Sequence, residues 1–203
     1  RHICSRMEER GARVDLDYSA AQRASLDAYA EKIDAWGQQA FGIRLGSPQQ
    51  LAAEIMKHGG EFTEYTKTGQ PKTDKGILKV MADPDNGYPL NVQLLAGQAL
   101  ALRDARKTSS TYFSAFLDRS YDSVIHPEIR TLAARTARMS MSGIPIQQLP
   151  KGSPLVRRAI IPSDPNNVII TTDYSQIEMR LMAEFSRDAG LQGAFNTADS
   201  TGG

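Results

Sequence analysis

The segment from Val168 to Phe185, VIITTDYSQIEMRLMAEF, constrains this chain more than any other. Val168, Ile169, Ile170, Thr171 and Thr172 are rich in β-branching and give way at Asp173 to a helical period. Ile177, Leu181, Met182 and Phe185 then fall on one face of a helix. The pattern predicts a buried strand carrying one carboxylate at its tip, with a helix leaving directly behind it. A strand end fixes the Cα while the side chain faces open space, which suits a catalytic carboxylate. From the pattern alone, the plainer reading is an acidic residue placed near a helix start, where the macrodipole favours negative charge.

Upstream the spacing reads as mostly helical. Ile3 to Arg10 predicts a helix end with Gly11 just beyond it. A second helix is expected from about Ser19 to Ala40, with Leu26, Tyr29, Ile33, Trp36 and Ala40 forming a narrow seam and Trp36 a core anchor. Ser47-Pro48-Gln49-Gln50 supplies an N-cap, a Pro at the first helical position and a capping-box Gln. The helix it opens carries Leu51, Ile55 and Met56 and stops at Gly59-Gly60. A polar loop from Glu61 to Asp74 leads to a short helix, Lys75 to Ala82, and then to the turn Asp83-Pro84-Asp85-Asn86-Gly87. A long helix is expected from near Pro89 towards Leu117. Propensity alone makes Glu128 to Arg138 a helix, and Val156 to Ile161 a short strand.

Composition enters as a filter. Hydrophobic residues make up 40% and charged residues 23%, ordinary for a globular chain of 203 residues. The net charge of +1 gives no bulk basic character, so any affinity for nucleic acid rests on local patches. Cys4 is the sole cysteine, which excludes an internal disulfide and fits a reducing compartment. No apolar run is long enough to span a bilayer, and no membrane partner is expected. The first residue is Arg1, and the end is the polar Thr-Ala-Asp-Ser-Thr-Gly-Gly, so both ends read as cut and the chain as a fragment.

Asp173-Tyr174-Ser175-Gln176-Ile177-Glu178-Met179-Arg180 resembles motif A of the family A DNA polymerases, those like bacterial DNA polymerase I. The family pattern is Asp-Tyr-Ser-Gln-Ile-Glu-Leu-Arg, and Met179 is the only departure. The resemblance extends over nearly the whole chain. Met7 to Asp15 is similar to the entry into the family's thumb, Phe41 to Ala82 to its tip, and Ser110-Thr111-Tyr112 to its Ser-Thr-Tyr. Thr136-Ala137-Arg138-Met139-Ser140 resembles Thr-Gly-Arg-Leu-Ser, and Gln147, Gln148, Leu149 and Pro150 resemble Gln-Asn-Ile-Pro. Ala137, Met141 and Gln148 depart from the family's Gly, Ser and Asn.

The resemblance implies an α+β fold. A helical thumb would occupy 1–112, with its tip at about 47–82, followed at 113–203 by the first part of an antiparallel palm. It makes Glu128 to Arg138 palm β-structure, against propensity. It implies transfer of a deoxynucleotide (dNTP) to a primer end on template DNA, in the cytoplasm of a bacterial or phage-infected cell, by a monomer. Two Mg²⁺ ions about 3.5–4 Å apart would assist the transfer. By resemblance Asp173 is a metal ligand joined by the Tyr174 carbonyl, and Ser175, Gln176, Ile177 and Glu178 face the nucleotide. The family's second catalytic Asp follows a His, and none of His2, His58 or His126 is followed by Asp. The second half of the metal site and the fingers helix are therefore expected beyond Gly203, and the fragment alone is expected to be inactive.

Glu178 has two readings. The family's matching Glu lies under the sugar and excludes a 2′-hydroxyl, whereas Ser175-x-x-Glu178 is also a capping box. Arg180 is either a charged residue near the cleft or a solvated structural one. Lys67, Lys72, Lys75 and Lys79 cluster among threonines as phosphate grips or as a solvated face diluted by Glu61, Glu64 and Asp74. Lys107, Thr108, Ser109, Ser110 and Thr111 form a second candidate backbone contact. Arg138 matches the arginine beside the primer terminus, with Gln147 and Gln148 nearby as candidate DNA contacts. The alternative from another class is a non-catalytic DNA-binding module. A single-subunit RNA polymerase is disfavoured by Gln176 and Glu178.

Overall fold

The computed structural model describes residues 2–136, 138–144, 146–150 and 154–201. Ala137 lies outside the described residues. The chain divides into two units, Arg1–Asn167 and Val168–Gly203.

In the first unit, α1 (His2–Arg10) ends at Gly11, whose N–H donates to the Met7 carbonyl at 2.9 Å. Gly11 has φ +62°, and a Cβ there would sit 2.6 Å from the Ile125 carbonyl oxygen, so only glycine fits. After β1 (Ala12–Arg13), Asp15 caps α2 (Leu16–Phe41) by accepting from the Tyr18 N–H. The buried stripe of α2 differs from the expected seam: Ala30, Ile33 and Gly37 are buried, Leu26 and Trp36 half-buried, Tyr29 and Ala40 exposed. Gly37 shifts it, because Leu45 packs where a Cβ would be, 2.7 Å away. Trp36 packs edge-on against Phe41, with ring centroids 5.4 Å apart.

Ser47 and Pro48 open α3 (Pro48–Lys57) as expected. The reciprocal half of the capping box does not form, because Gln50 Oε1 accepts from the Arg44 N–H instead. The α4 helix spans Lys75–Ala82, and Pro84–Asn86 is a 3₁₀ turn ending at Gly87. Then α5 (Leu90–Thr108) passes through a π-helical segment, Ser109–Phe113, into α6 (Ser114–Arg119). One core joins α2 to α5 through Leu45, Leu51, Ile55, Leu78, Leu95 and Leu102.

A second core gathers Val14, Tyr112, Phe113, Phe116, Ile125 and Val156. Beside it β2 (Ser120–Tyr121) and β3 (Val124–Ile125) form a hairpin, and β1 pairs antiparallel with β3, Ala12 opposite Ile125. Asp122 and Ser123, both at positive φ, make the two-residue turn. Among the described residues of Glu128–Arg138, the helix that propensity gives is absent. Instead β4 (Glu128–Arg130) pairs antiparallel with β5 (Ser140–Ser142), and Ser142 Oγ donates to Glu128 at 2.8 Å. Nor is Val156–Ile161 a strand. Pro154–Arg157 is the short α7, with only an isolated bridge from Ile160 to Val14, because local bonds, Arg158 N–H to Pro154 and the Ala159 and Ile160 N–H groups to Val156 and Arg157, outcompete a strand lacking a long partner.

The second unit holds α8 (Ile177–Ser186) and α9 (Ala189–Thr201). The expected buried strand at Val168–Thr172 is not there: these residues have no regular structure, and Val168, Ile169 and Ile170 are 79%, 51% and 80% exposed. A strand needs a neighbour for its backbone N–H and C=O groups, and the described residues of this unit contain none.

Candidate functional site

Asp173 and Tyr174 lie in the extended stretch ahead of α8, both exposed. The helix is capped at Gln176, which takes a left-handed backbone (φ 51°, ψ 40°) and makes no side-chain cap bond. This register settles one alternative. With Gln176 as N-cap, Glu178 falls at the second helical position rather than the third, so Ser175 and Glu178 do not form a capping box. Arg180 is structural here: its Nε donates to the Ser175 carbonyl at 2.9 Å, and its guanidinium lies 4.8 Å from the Phe195 ring centre on α9. It therefore fixes the approach of the chain to the helix behind Tyr174.

Asp173 offers a hard oxygen donor of the kind Mg²⁺ takes. Among the described residues, however, no group of three or more Asp, Glu, His or Cys could hold a metal ion. Asp173 would suit one edge of such a site.

In the first unit the candidate DNA contacts separate into four places. Lys67 is exposed on the Glu61–Asp74 loop, and Lys72 pairs with Glu64 at 2.7 Å, whose hydrogen bond and charge raise the lysine's pKa. Lys75 joins Lys79, Arg103 and Lys107 around a groove of about 550 Å³ between α4 and α5, with Asp104 the one acidic group in its lining. Thus Lys75 and Lys107, assigned by sequence to separate clusters, share a surface. Ser110 and Thr111 sit on the π-helical segment and share a hollow with Arg119 and Gly143, while Thr108 ends α5 half-buried. The segment is fixed on either side, by Ser109 Oγ donating to Asp27 at 2.6 Å and by Tyr112 Oη donating to the Gln148 carbonyl at 2.7 Å. Arg138 is exposed next to β5. Gln147 is engaged at both ends, accepting from the Met141 N–H and donating to the Met139 carbonyl, and so holds the edge of β5. The Gln148 side chain is exposed.

A sequence model described as DNA polymerase family A matches residues 16–200. The chain belongs to DNA polymerase family A. The family A relatives include the DNA polymerase of Mycobacterium phage L5, 32% identical over 97% of this chain and 32% of the relative. DNA polymerase I of Bacillus subtilis is 30% identical over 95% of this chain and 22% of the relative. The polymerase domain of Pol1 from M. smegmatis, solved in complex with DNA primer-template and dNTP, superposes with a TM-score of 0.77. It is 30% identical and is matched over 96% of this chain and 34% of its own. The chain thus spans about a fifth to a third of the relatives it matches. No helix among the described residues is long and apolar enough to cross a membrane.

The π-helical segment escaped sequence reasoning, as did Arg103, which binds Thr73. The Ser-Ser-Thr run, unfavourable in a helix interior, was the one available signal for the first.

Proposed function

We propose that this chain is the thumb and the first palm segment of a template-directed DNA polymerase that adds deoxynucleotides to a primer end. The observation that carries the reading is the motif from Asp173 to Arg180, set at the head of α8 with Asp173 exposed. In this reading residues 1–112, with the core of α2 to α5, are the thumb, and 113–203 are the first part of the palm. Asp173 and the Tyr174 carbonyl are metal ligands, and divalent ions bound there would stabilise charge on the transferring phosphates. Ser175, Gln176, Ile177 and Glu178 face the incoming nucleotide, with Glu178 excluding a ribose 2′-hydroxyl. The exposed lysines and the hydroxyls of Ser110 and Thr111 hold the DNA backbone, which positions a duplex without reading its sequence. Arg138, Gln147 and Gln148 contact the minor groove, where the repeated acceptor pattern suits a sequence-independent check, with Gln147 also holding the edge of β5.

In the full-length protein, Asp173→Ala is expected to slow the single-turnover chemical step by about 10³-fold or more, with primer–template affinity little changed. A near-normal rate would remove Asp173 from the metal site. A second reading, that the 203 residues alone are a DNA-binding module, is favoured by the gathering of Lys75, Lys79, Arg103 and Lys107 around one groove. Primer extension by the isolated chain, abolished in Asp173→Ala, would refute it.

A further inference from the structure

The loop from Glu61 to Asp74 closes mainly on itself. Thr66 N–H donates to the Gln70 carbonyl at 2.7 Å, Lys72 N–H to the Glu64 carbonyl at 2.9 Å, and the Lys72 side chain to Glu64. None of these bonds ties the loop to a helix. Phe62 anchors its beginning in the helical core. At its end Thr73 is buried, and Arg103 of α5 reaches it with both terminal nitrogens. Nη1 donates to the Thr73 main-chain carbonyl and Nη2 to Thr73 Oγ1 at 3.0 Å. The guanidinium is half-buried, and burial pushes its pKa below the ordinary value against the opposing charge of Asp74. Asp74 in turn caps α4, accepting from the Gly76 and Ile77 N–H groups. Arg103 also stands in the wall shared by two hollows, one lined by Thr66, Gln70 and Lys72, the other by Lys75, Lys79 and Lys107.

We propose that Arg103 is a positioning residue: it clamps Thr73 and so sets the loop, with Lys67 and Lys72, against the α4–α5 face that carries Lys75 and Lys107. A planar fork can hold a carbonyl and a hydroxyl together, whereas the point-like ammonium of a lysine cannot reproduce both bonds in that geometry. Two of its five N–H donors are committed to Thr73, and through them the guanidinium aligns the neighbouring cations. The consequence for binding rests on the reading of those lysines as DNA contacts; the clamp does not.

The test compares Arg103→Lys, Arg103→Ala, Thr73→Val and Thr73→Ser in the full-length protein. Hydrogen exchange of the 61–74 amides without DNA is read beside duplex affinity over a range of salt. Arg103→Lys and Thr73→Val are expected to speed exchange in the loop by about tenfold, with α2 and the rest of α5 unchanged, and to weaken duplex binding. Thr73→Ser keeps the hydroxyl and should behave as the unsubstituted protein. If Thr73→Val alters neither exchange nor affinity while Arg103→Ala lowers the log–log salt slope by about 0.9, Arg103 is a direct phosphate contact and the proposal is overturned. Faster loop exchange with unchanged affinity in every variant would uphold the clamp and refute the lysines as DNA contacts.

Discussion

The α2–α5 core and helix α8 use the same apolar code with opposite results. Leu45, Leu51, Ile55, Leu78, Leu95 and Leu102 are fully buried, whereas Ile177, Leu181, Met182 and Phe185 are 43%, 48%, 55% and 83% exposed. The difference lies in the neighbours. Around Leu102 four helices return within about ninety residues of chain and close on one another. In Val168–Gly203, α8 packs on α9 through Ala183 and through Gln192, which donates to the Ala183 carbonyl at 3.4 Å. An apolar stripe specifies a face, and only a packed second element turns that face into a core. The Asp173–Arg180 motif shares this setting: Asp173 and Tyr174 are exposed, and the chain behind them is tied at the Ser175 carbonyl by Arg180.

The largest expected effect tests whether the exposed unit is built for contact with substrate. Glu178→Ala in the full-length protein should shift the kcat/KM ratio of deoxynucleotide to ribonucleotide by several kcal/mol, each ~1.4 kcal/mol being tenfold. Because Glu178 lies in the first turn of α8 outside a capping box, its stability cost should be only about 0.3–1 kcal/mol. An unchanged ratio with a lower Tm would give Glu178 to the helix start alone.

Next comes the contrast of cores. Leu102→Ala should cost about 2–5 kcal/mol in urea unfolding, since a fully buried leucine leaves a cavity. The third test concerns charge. Replacing Lys67, Lys72 and Lys75 with Ala should flatten the salt dependence of duplex binding by up to about 0.9 per contact, alike for every sequence. Lys72 should contribute least, being paired with Glu64 already. An unaltered slope would mark these lysines as a solvated face. The smallest effect is Leu181→Ala, within about 0.5 kcal/mol in the 203-residue chain. A loss matching that of Leu102→Ala would erase the distinction between the two regions.

Local chemistry was legible in the sequence. Asp74 before Lys75 and Asp83-Pro84 after Ala82 delimit α4 to the residue, because caps and proline act within one turn. Ser47-Pro48 starts α3 for the same reason, and the motif from Asp173 to Arg180 carries the family in eight consecutive residues. The tertiary structure decided whatever depends on a distant partner. β1 pairs with β3 across more than a hundred residues, β4 finds β5 beyond the Glu128–Arg138 stretch that propensity made a helix, and Val168–Thr172 has strand composition without a strand beside it. Even the capping box at Ser47 was half overruled when Gln50 found Arg44. The same holds for the surface: Lys75 meets Lys107, and Arg103 meets Thr73 thirty residues earlier, only after α4 and α5 have packed. A cap or turn is fixed by bonds among neighbours in the chain. A pair that far apart forms only once packing has offset the entropy of bringing it together, and no local pattern records that.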